Sequence, residues 1–260
     1  MWSIVIPAHN EEGRIGQLLS NLSVLPVERI IIVANGCKDK TIAEVREFSD
    51  KRLDLHIFPK ELGVDVPRAV GAKIALDYKA AGVVFVDGDM TGMFNQAMLK
   101  LIAKIEEGWD MALVNCYPYI PYRHPLSQIT SFFRAKLNRK LGLFHKLGIA
   151  SPSHGPHAVS RRFLEAVPLK EIAIPPVSLA LACQAGLKIG VAAGITHQEL
   201  QSRPTVNRHG ELIAQTIMGD CLEAMCLVEG RPRSRIYEGK EILGYHPNRN
   251  WDLLNSFLAF

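Results

Sequence analysis

What this 260-residue chain has little of already narrows its class. Its five cysteines, at 37, 116, 183, 221 and 226, form no CxxC pair and no zinc-like spacing with histidine. That excludes a disulfide scaffold and a structural zinc site, and it leads to the expectation of a reducing, cytoplasmic setting. No apolar stretch reaches the roughly 20 residues of a bilayer span. The longest uncharged run, 172–187, is interrupted by Pro175 and Pro176. The opening Met-Trp-Ser-Ile-Val-Ile-Pro has no basic segment ahead of its apolar residues, so it reads as a strand rather than a signal peptide. Gly (20) and Pro (15) are too few for a collagen-like or low-complexity chain, and no repeat is visible. There is no GxxxxGK[ST] loop and no GxGxxG after the first apolar run, which argues against P-loop and dinucleotide-binding folds. What remains, at 48% hydrophobic and 22% charged residues, has the makeup of a globular domain with a sizeable core.

The most informative scarcity is of acid. Residues 111–164 contain no Asp or Glu, while Arg123, Arg134, Lys136, Arg139, Lys140, Lys146, Arg161 and Arg162 supply eight positive charges there. The whole chain carries only +4, so everything outside that stretch is net acidic. Such confinement points to an anionic partner rather than to a uniform solubilising coat.

Periodicity predicts an α/β fold with a mainly parallel central sheet. Short apolar runs at about 2–6, 29–34, 53–58, 83–86 and 111–115 read as strands, and amphipathic stretches between them read as helices. Ile15, Leu18, Leu19, Leu22 and Leu25 repeat at helical spacing, and Asp65 with Pro67 marks a helix start. After Cys116 the reading is a turn over Tyr117, Pro118, Tyr119, Ile120, Pro121 and Tyr122, then a basic amphipathic segment over 126–146. A polar loop at 151–157, a helix near 177–185, a strand near 187–193, a polar loop at 197–209 and a helix over 210–229 follow. One domain is expected, with a first half at 1–115, a second half at 116–230 and an irregular tail at 231–260.

Ligands of an open parallel sheet bind beyond the carboxyl ends of its strands, and those ends are polar here. The first strand runs into Pro7-Ala8-His9-Asn10-Glu11-Glu12, the second into Asn35-Gly36-Cys37-Lys38-Asp39 and the fourth into Asp87-Gly88-Asp89. Two carboxylates flanking a glycine offer hard oxygen ligands to Mg²⁺ or Mn²⁺, through which a diphosphate can be held. The same triplet is also an ordinary strand-ending turn.

Taken together, Ile4-Val5-Ile6-Pro7-Ala8-His9-Asn10-Glu11-Glu12, Ile32-Val33-Ala34-Asn35-Gly36-Cys37-Lys38-Asp39-Lys40-Thr41 and Phe85-Val86-Asp87-Gly88-Asp89 resemble, in order and spacing, family 2 glycosyltransferases. These are of the GT-A, Rossmann-like nucleotide-diphospho-sugar transferase type. The segment 63–75, with Arg68, resembles that family's basic segment. The second half, through 177–186, Leu187-Lys188-Ile189-Gly190-Val191, Ala193-Gly194-Ile195-Thr196-His197 and Arg203-Pro204, is similar to glucosyl-3-phosphoglycerate synthases and mannosylglycerate-type enzymes.

The resemblance implies that Pro7, Ala8, Glu11, Asn35, Arg68 and Asp87 meet the donor nucleotide, and that Asp87, Asp89 and His197 hold Mg²⁺ or Mn²⁺. Asn35 stands where the family often has a base-reading Asp, so UDP and GDP both stay open. On the acceptor side, Arg134, Arg139, Lys140, His154 and His157 would face a small phosphate- or carboxylate-bearing acceptor. Arg203 and Arg208 would add positive charge over the phosphates. The acidic general base usual in inverting members is missing, because no Asp or Glu lies between Glu171 and Glu199.

A retaining enzyme, a base displaced to His154 or His157, and a non-catalytic nucleotide-sugar-binding protein therefore compete. The apolar residues interleaved with the cations of 126–146 keep a lipid-phosphate acceptor and peripheral membrane contact as alternatives. A homodimer is also kept. No nucleic-acid motif accompanies the charge, so nucleic acid is not expected.

Overall fold

The structure, a computed structural model, describes residues 1–118, 124–203 and 207–259. Its first part alternates as the periodicity requires: β1 (Trp2–Ala8), α1 (Ile15–Leu22), β2 (Arg29–Asn35), α2 (Thr41–Glu47), β3 (Leu53–Phe58), α3 (Val66–Asp77), β4 (Gly82–Phe85), α4 (Asn95–Glu106) and β5 (Met111–Asn115). Then come α5 (Pro125–Lys140), α6 (Phe144–Leu147), β6 (His157–Ser160), α7 (Arg161–Ala166), a 3₁₀ turn at Leu169–Ala173, α8 (Pro175–Gln184), β7 (Ile189–Gly194), α9 (His197–Leu200) and α10 (Asn207–Val228). A hairpin of β8 (Ile236–Tyr237) and β9 (Lys240–Glu241), a 3₁₀ turn at His246–Asn248 and α11 (Trp251–Leu258) follow.

Seven strands form one sheet in the order β3-β2-β1-β4-β6-β5-β7. Pairing is parallel except at β6, which runs antiparallel to both β4 and β5. Alternation along the strands builds two cores. Ile4 and Ile6 of β1 meet Leu18, Leu19, Met98 and Leu101 from α1 and α4 on one face. Val5, Ile31 and Val33 meet Val66, Ala69 and Val70 of α3 on the other, where α5, α8, α10 and α11 complete the layer. Each fully buried Ile or Leu contributes roughly 1.5–3 kcal/mol.

Several expectations need correction. The loop expected over 151–157 leads directly into β6, whose four residues include His157 and Ser160 and are too few to show a period of two. α8 starts at Pro175, because the first turn tolerates a missing N–H and both prolines fit there. The loop expected at 197–209 contains α9, closed by a capping box between Thr196 and Glu199, and α10 begins at Asn207. The tail expected to be irregular holds a hairpin and α11, with Leu254 fully buried and Phe257 edge-on to Phe58 at 5.8 Å. That order comes from distant partners, which local periodicity does not record. Tyr119, Ile120, Pro121, Tyr122, Arg123 and Pro204 lie outside the described residues. Among the described residues, no helix is long and apolar enough to cross a membrane.

Candidate active site

The carboxyl ends of β1, β2 and β4 open onto two adjoining cavities. One, of about 450 Å³, is lined by Pro7, Ala8, Glu11, Asn35, Arg68 and Gly88. The other, of about 630 Å³, is lined by Tyr117, Arg134, His154 and His197 together with Thr130 of α5 and Ile213 and Ile217 of α10. Asp87 and Asp89 border both. Gly88 is needed at the junction: a Cβ there would stand 2.9 Å from the Pro7 carbonyl oxygen and 3.2 Å from Glu11 Cγ. The missing side chain lets two strand ends approach.

In the smaller cavity the polar groups are largely engaged with one another. Asn35 accepts from the Leu62 amide at 2.6 Å and donates to the Gly63 carbonyl at 3.3 Å, so it latches the loop between β3 and α3. An Asp here would accept from Leu62 but could not donate to Gly63. Arg68, only 6% exposed, donates to Asp87 Oδ1 at 2.5 Å and to Asp65. Arg14 holds the Asp89 main chain in place, donating through Nη2 to the Asp89 carbonyl at 2.6 Å. The Arg203 amide donates to Asp89 Oδ2 at 2.9 Å, and its guanidinium reaches Glu11 Oε2 at 2.9 Å and the Asn10 carbonyl at 3.0 Å. Burial, reinforced by Asp89 and Asp87 and opposed by Arg203, pushes the Glu11 carboxyl up to about 7.

The larger cavity differs in kind. Arg134 is 2% exposed and forms no ion pair with a carboxylate among the described residues. Its Nη1 donates to His154 Nδ1 at 3.0 Å, a hydrogen bond also links it to Tyr117, and its Nε has no partner among the described residues. Burial lowers the guanidinium from the ordinary arginine value, but the group stays charged. Because arginine can only donate, Nδ1 of His154 is the acceptor and the ring proton sits on Nε2. Burial and the neighbouring Arg134 lower His154 well below 6.5, so it is a neutral hydrogen-bond donor rather than a ready base. The His197 ring lies tilted by 38° against that of His154, with 4.6 Å between centroids, and its pKa is lowered by burial and then by Arg134. Apart from Asp87 and Asp89, no described carboxylate lines this cavity.

The chemistry of the donor set suits a divalent cation. Burial, then Asp87, raises the Asp89 carboxyl, a sign of a pocket short of positive charge. Among the described residues only one oxygen of each of Asp87 and Asp89 is engaged, by Arg68 and by the Arg203 amide, and His197 presents a neutral imidazole to the same cavity. Asp87, Asp89 and His197 do not bring three ligand atoms within 4.8 Å of one another; among the described residues only Asp220, Glu223 and His246 do. That second cluster is already filled. Arg235 Nη1 lies 2.7 Å from Asp220, 2.6 Å from Glu223 and 3.2 Å from His246, so a guanidinium takes the cation's place.

The remaining sequence-derived candidates go elsewhere. His157 lies in β6 with its ring stacked on Phe85 at 4.9 Å, and burial, then Arg68, lowers it to about 3. It is 4% exposed and lines neither cavity. Arg139 covers the Phe144 ring at 4.0 Å and Lys140 pairs with Glu229, and neither lines the larger cavity. Arg208 is exposed in the first turn of α10 and lines neither cavity. Sequence reading missed Arg14, Tyr117, His209 and Tyr245. The last two are joined at 2.7 Å on the rim of the smaller cavity. Tyr117, next to the end of β5, carried a positional signal; the others are brought in from helices and the C-terminal segment and carried none.

The fold and the sequence are similar to those of known proteins. Solved structures similar to the chain include glucosyl-3-phosphoglycerate synthase from Mycobacterium tuberculosis in complex with UDP. It has a TM-score of 0.63 and 20% identity, covering 91% of this chain and 82% of that one. The same synthase in complex with Mn²⁺, UDP-glucose and phosphoglyceric acid gives 0.62 at 19% identity, with 91% and 82% covered. Mannosyl-3-phosphoglycerate synthase from Rubrobacter xylanophilus gives 0.67 at 13% identity, with 92% and 78% covered. At such identities the likeness establishes the fold. Two uncharacterised proteins of Methanocaldococcus jannaschii match in sequence. MJ1222 is 33% identical over 42% of this chain and 44% of its own length, and MJ0544 is 31% identical over 51% and 58%. The chain spans about half the length of these curated relatives. The family described as Glycosyl transferase family 2 matches residues 3–167, more than half of the chain and all of the strand ends that carry Pro7, Asn35 and Asp87, and the chain belongs to that family.

Proposed function

We propose that the chain transfers a glycosyl group from a nucleoside diphosphate sugar to a small acceptor bearing a phosphate or carboxylate. The carrying observation is Arg134, a buried cation without a carboxylate partner among the described residues, in the wall of a cavity that opens onto Asp87 and Asp89. A buried charge with no such counter-charge is completed by an anionic ligand. The donor occupies the smaller cavity, and the UDP complex of the structural neighbour supports UDP. Asp87, Asp89 and His197 would hold Mg²⁺ or Mn²⁺, which neutralises charge on the departing diphosphate.

In the transfer, the bond between the anomeric carbon and the diphosphate oxygen breaks with its electron pair on oxygen. A bond forms from the acceptor hydroxyl oxygen to that carbon. The hydroxyl proton goes to the departing diphosphate, since His154 Nδ1 is occupied and the described acceptor wall offers no further carboxylate. That route supports a retaining outcome. Arg134 and the His154 Nε2–H orient the acceptor, and Arg203, anchored on Asn10 and Glu11, adds positive charge beside the phosphates.

A lipid phosphate is the second reading, favoured by Ile129 (41% exposed) and Phe132 (50% exposed) beside Lys136 on the outer face of α5. The test incubates UDP- and GDP-sugars with Mn²⁺ or Mg²⁺ and three acceptors: 3-phosphoglycerate, a polyprenyl phosphate in vesicles and glycerol. Nucleoside diphosphate release with 3-phosphoglycerate is the expected result. Release confined to the vesicle arm supports the second reading, and binding without release in any arm supports a non-catalytic protein.

A further inference from the structure

We propose that Arg249 is a positioning residue of the donor cavity, acting on Asp87 through Asp65 and Arg68. The 248–250 segment is then part of that site although it lies outside the family match at residues 3–167. The inference rests on the donor reading of that cavity.

Arg249 has a fully buried side chain and binds Asp220 with two nitrogens, at 2.8 and 2.7 Å. It also donates to Asp65 Oδ2 at 3.4 Å and, through Nε, to the Val64 carbonyl at 3.2 Å. Asp65 passes the contact on, since its Oδ1 accepts from Arg68, whose other terminal nitrogen holds Asp87 Oδ1 at 2.5 Å. Charges therefore alternate without a gap from Asp220 through Arg249, Asp65 and Arg68 to Asp87. The backbone is engaged as well. The Asn250 amide donates to the Leu62 carbonyl at 2.8 Å. Gly63, at φ +90°, lies so close that a Cβ would stand 2.4 Å from the Asn248 carbonyl oxygen. Asp65 itself adopts a left-handed φ of +64°, a conformation held by surrounding contacts rather than by its own preference. The loop that walls the donor cavity is thus backed by the C-terminal segment. With Arg249 in place, Asp65 is fixed, Arg68 has one direction to point, and the free oxygen of Asp87 faces the cavity. Without it, Arg68 is released to follow Asp65.

Titration of UDP in the presence of Mn²⁺ tests this on the full chain. Arg249→Gln is expected to weaken UDP binding about tenfold, the low end of what loss of an outer-shell partner does to a metal site. Arg235→Gln, in the same buried ion-pair network but with no contact to Asp65, is expected to lower Tm at least as much and to leave UDP binding within about twofold. In an Asp65→Asn background, Arg249→Gln is expected to add little. If Arg249→Gln does not fold, Arg249→Lys replaces it, keeping the charge but losing the bidentate hold on Asp220. Equal weakening by the Arg235 and Arg249 variants, or additive effects with Asp65→Asn, would reduce Arg249 to a purely structural residue and overturn the proposal. Wild-type protein that binds neither UDP nor GDP, with or without Mn²⁺, overturns the donor reading itself and the relay with it.

Discussion

The two cavities share Asp87 and Asp89 yet treat buried arginine in opposite ways. At the smaller cavity Arg68 stands between carboxylates of the same chain, as do Arg249 and Arg235 in the buried ion-pair network behind it. At the larger cavity Arg134, as deeply buried, meets a histidine and a tyrosine but no described carboxylate. An ion pair broken by removing one partner costs about 3–5 kcal/mol, whereas removing an uncompensated charge relieves the fold. Burial alone therefore does not mark a ligand site; what marks it is burial without an internal counter-charge.

That contrast is breakable by substitution, and the largest effect is expected at the shared carboxylates. Asp89→Ala should reduce turnover on the order of a thousandfold and abolish the Mn²⁺ dependence of nucleotide binding, measured by calorimetry with and without the ion. Metal-independent binding unaffected by the change would remove the cation site from the comparison. Next, Arg235→Met leaves Asp220 and Glu223 facing each other and should destabilise by about 3–5 kcal/mol in urea unfolding. Arg134→Met should instead leave stability unchanged or raised while acceptor KM climbs on the order of a hundredfold and donor KM holds. A stability loss at Arg134 as large as that at Arg235 would erase the distinction.

His157 sharpens the comparison through pH. Its folded value of about 3 lies below the unfolded value near 6.5, so the folded state binds fewer protons between them. The stability it contributes is complete above pH 6.5 and is lost as pH falls toward 3, about 2 kcal/mol by pH 5. His157→Phe, which keeps the stack on Phe85, should flatten that part of the pH–stability curve. The smallest effect is expected at Arg139→Ala and Lys140→Ala, with acceptor KM within about twofold and stability within about 0.5 kcal/mol.

The acid-free stretch shows how far the sequence could be read. It pointed to an anionic partner, and one of its cations, Arg134, lines the cavity that Asp87 and Asp89 border. Most of the other described cations are engaged elsewhere: Lys140 with Glu229, Arg161 with Glu165, Arg162 with Asp110, and Lys136 and Arg139 over aromatic rings. Linear charge counts neighbours in the chain, while pairing follows neighbours in space. The strand ends were legible for the opposite reason. Pro7, Asn35 and Asp87 each follow an apolar run whose period fixes where the strand stops, and parallel pairing brings those stops to one edge. β6 and α11 were not legible, one being four residues long and the other held by partners such as Phe58.

By itself, then, the sequence determined the parallel half of the sheet, the Asp87-Gly88-Asp89 junction and the absence of any Asp or Glu between Glu171 and Glu199. Those depend on local period, residue type and simple absence. Only the tertiary structure decided which arginines are already paired, which histidines face a cavity and that the C-terminal segment backs the loop between β3 and α3. Each of these turns on charges and backbones far apart in the chain coming within hydrogen-bond reach, as Arg249 and Asp65 do across 184 residues.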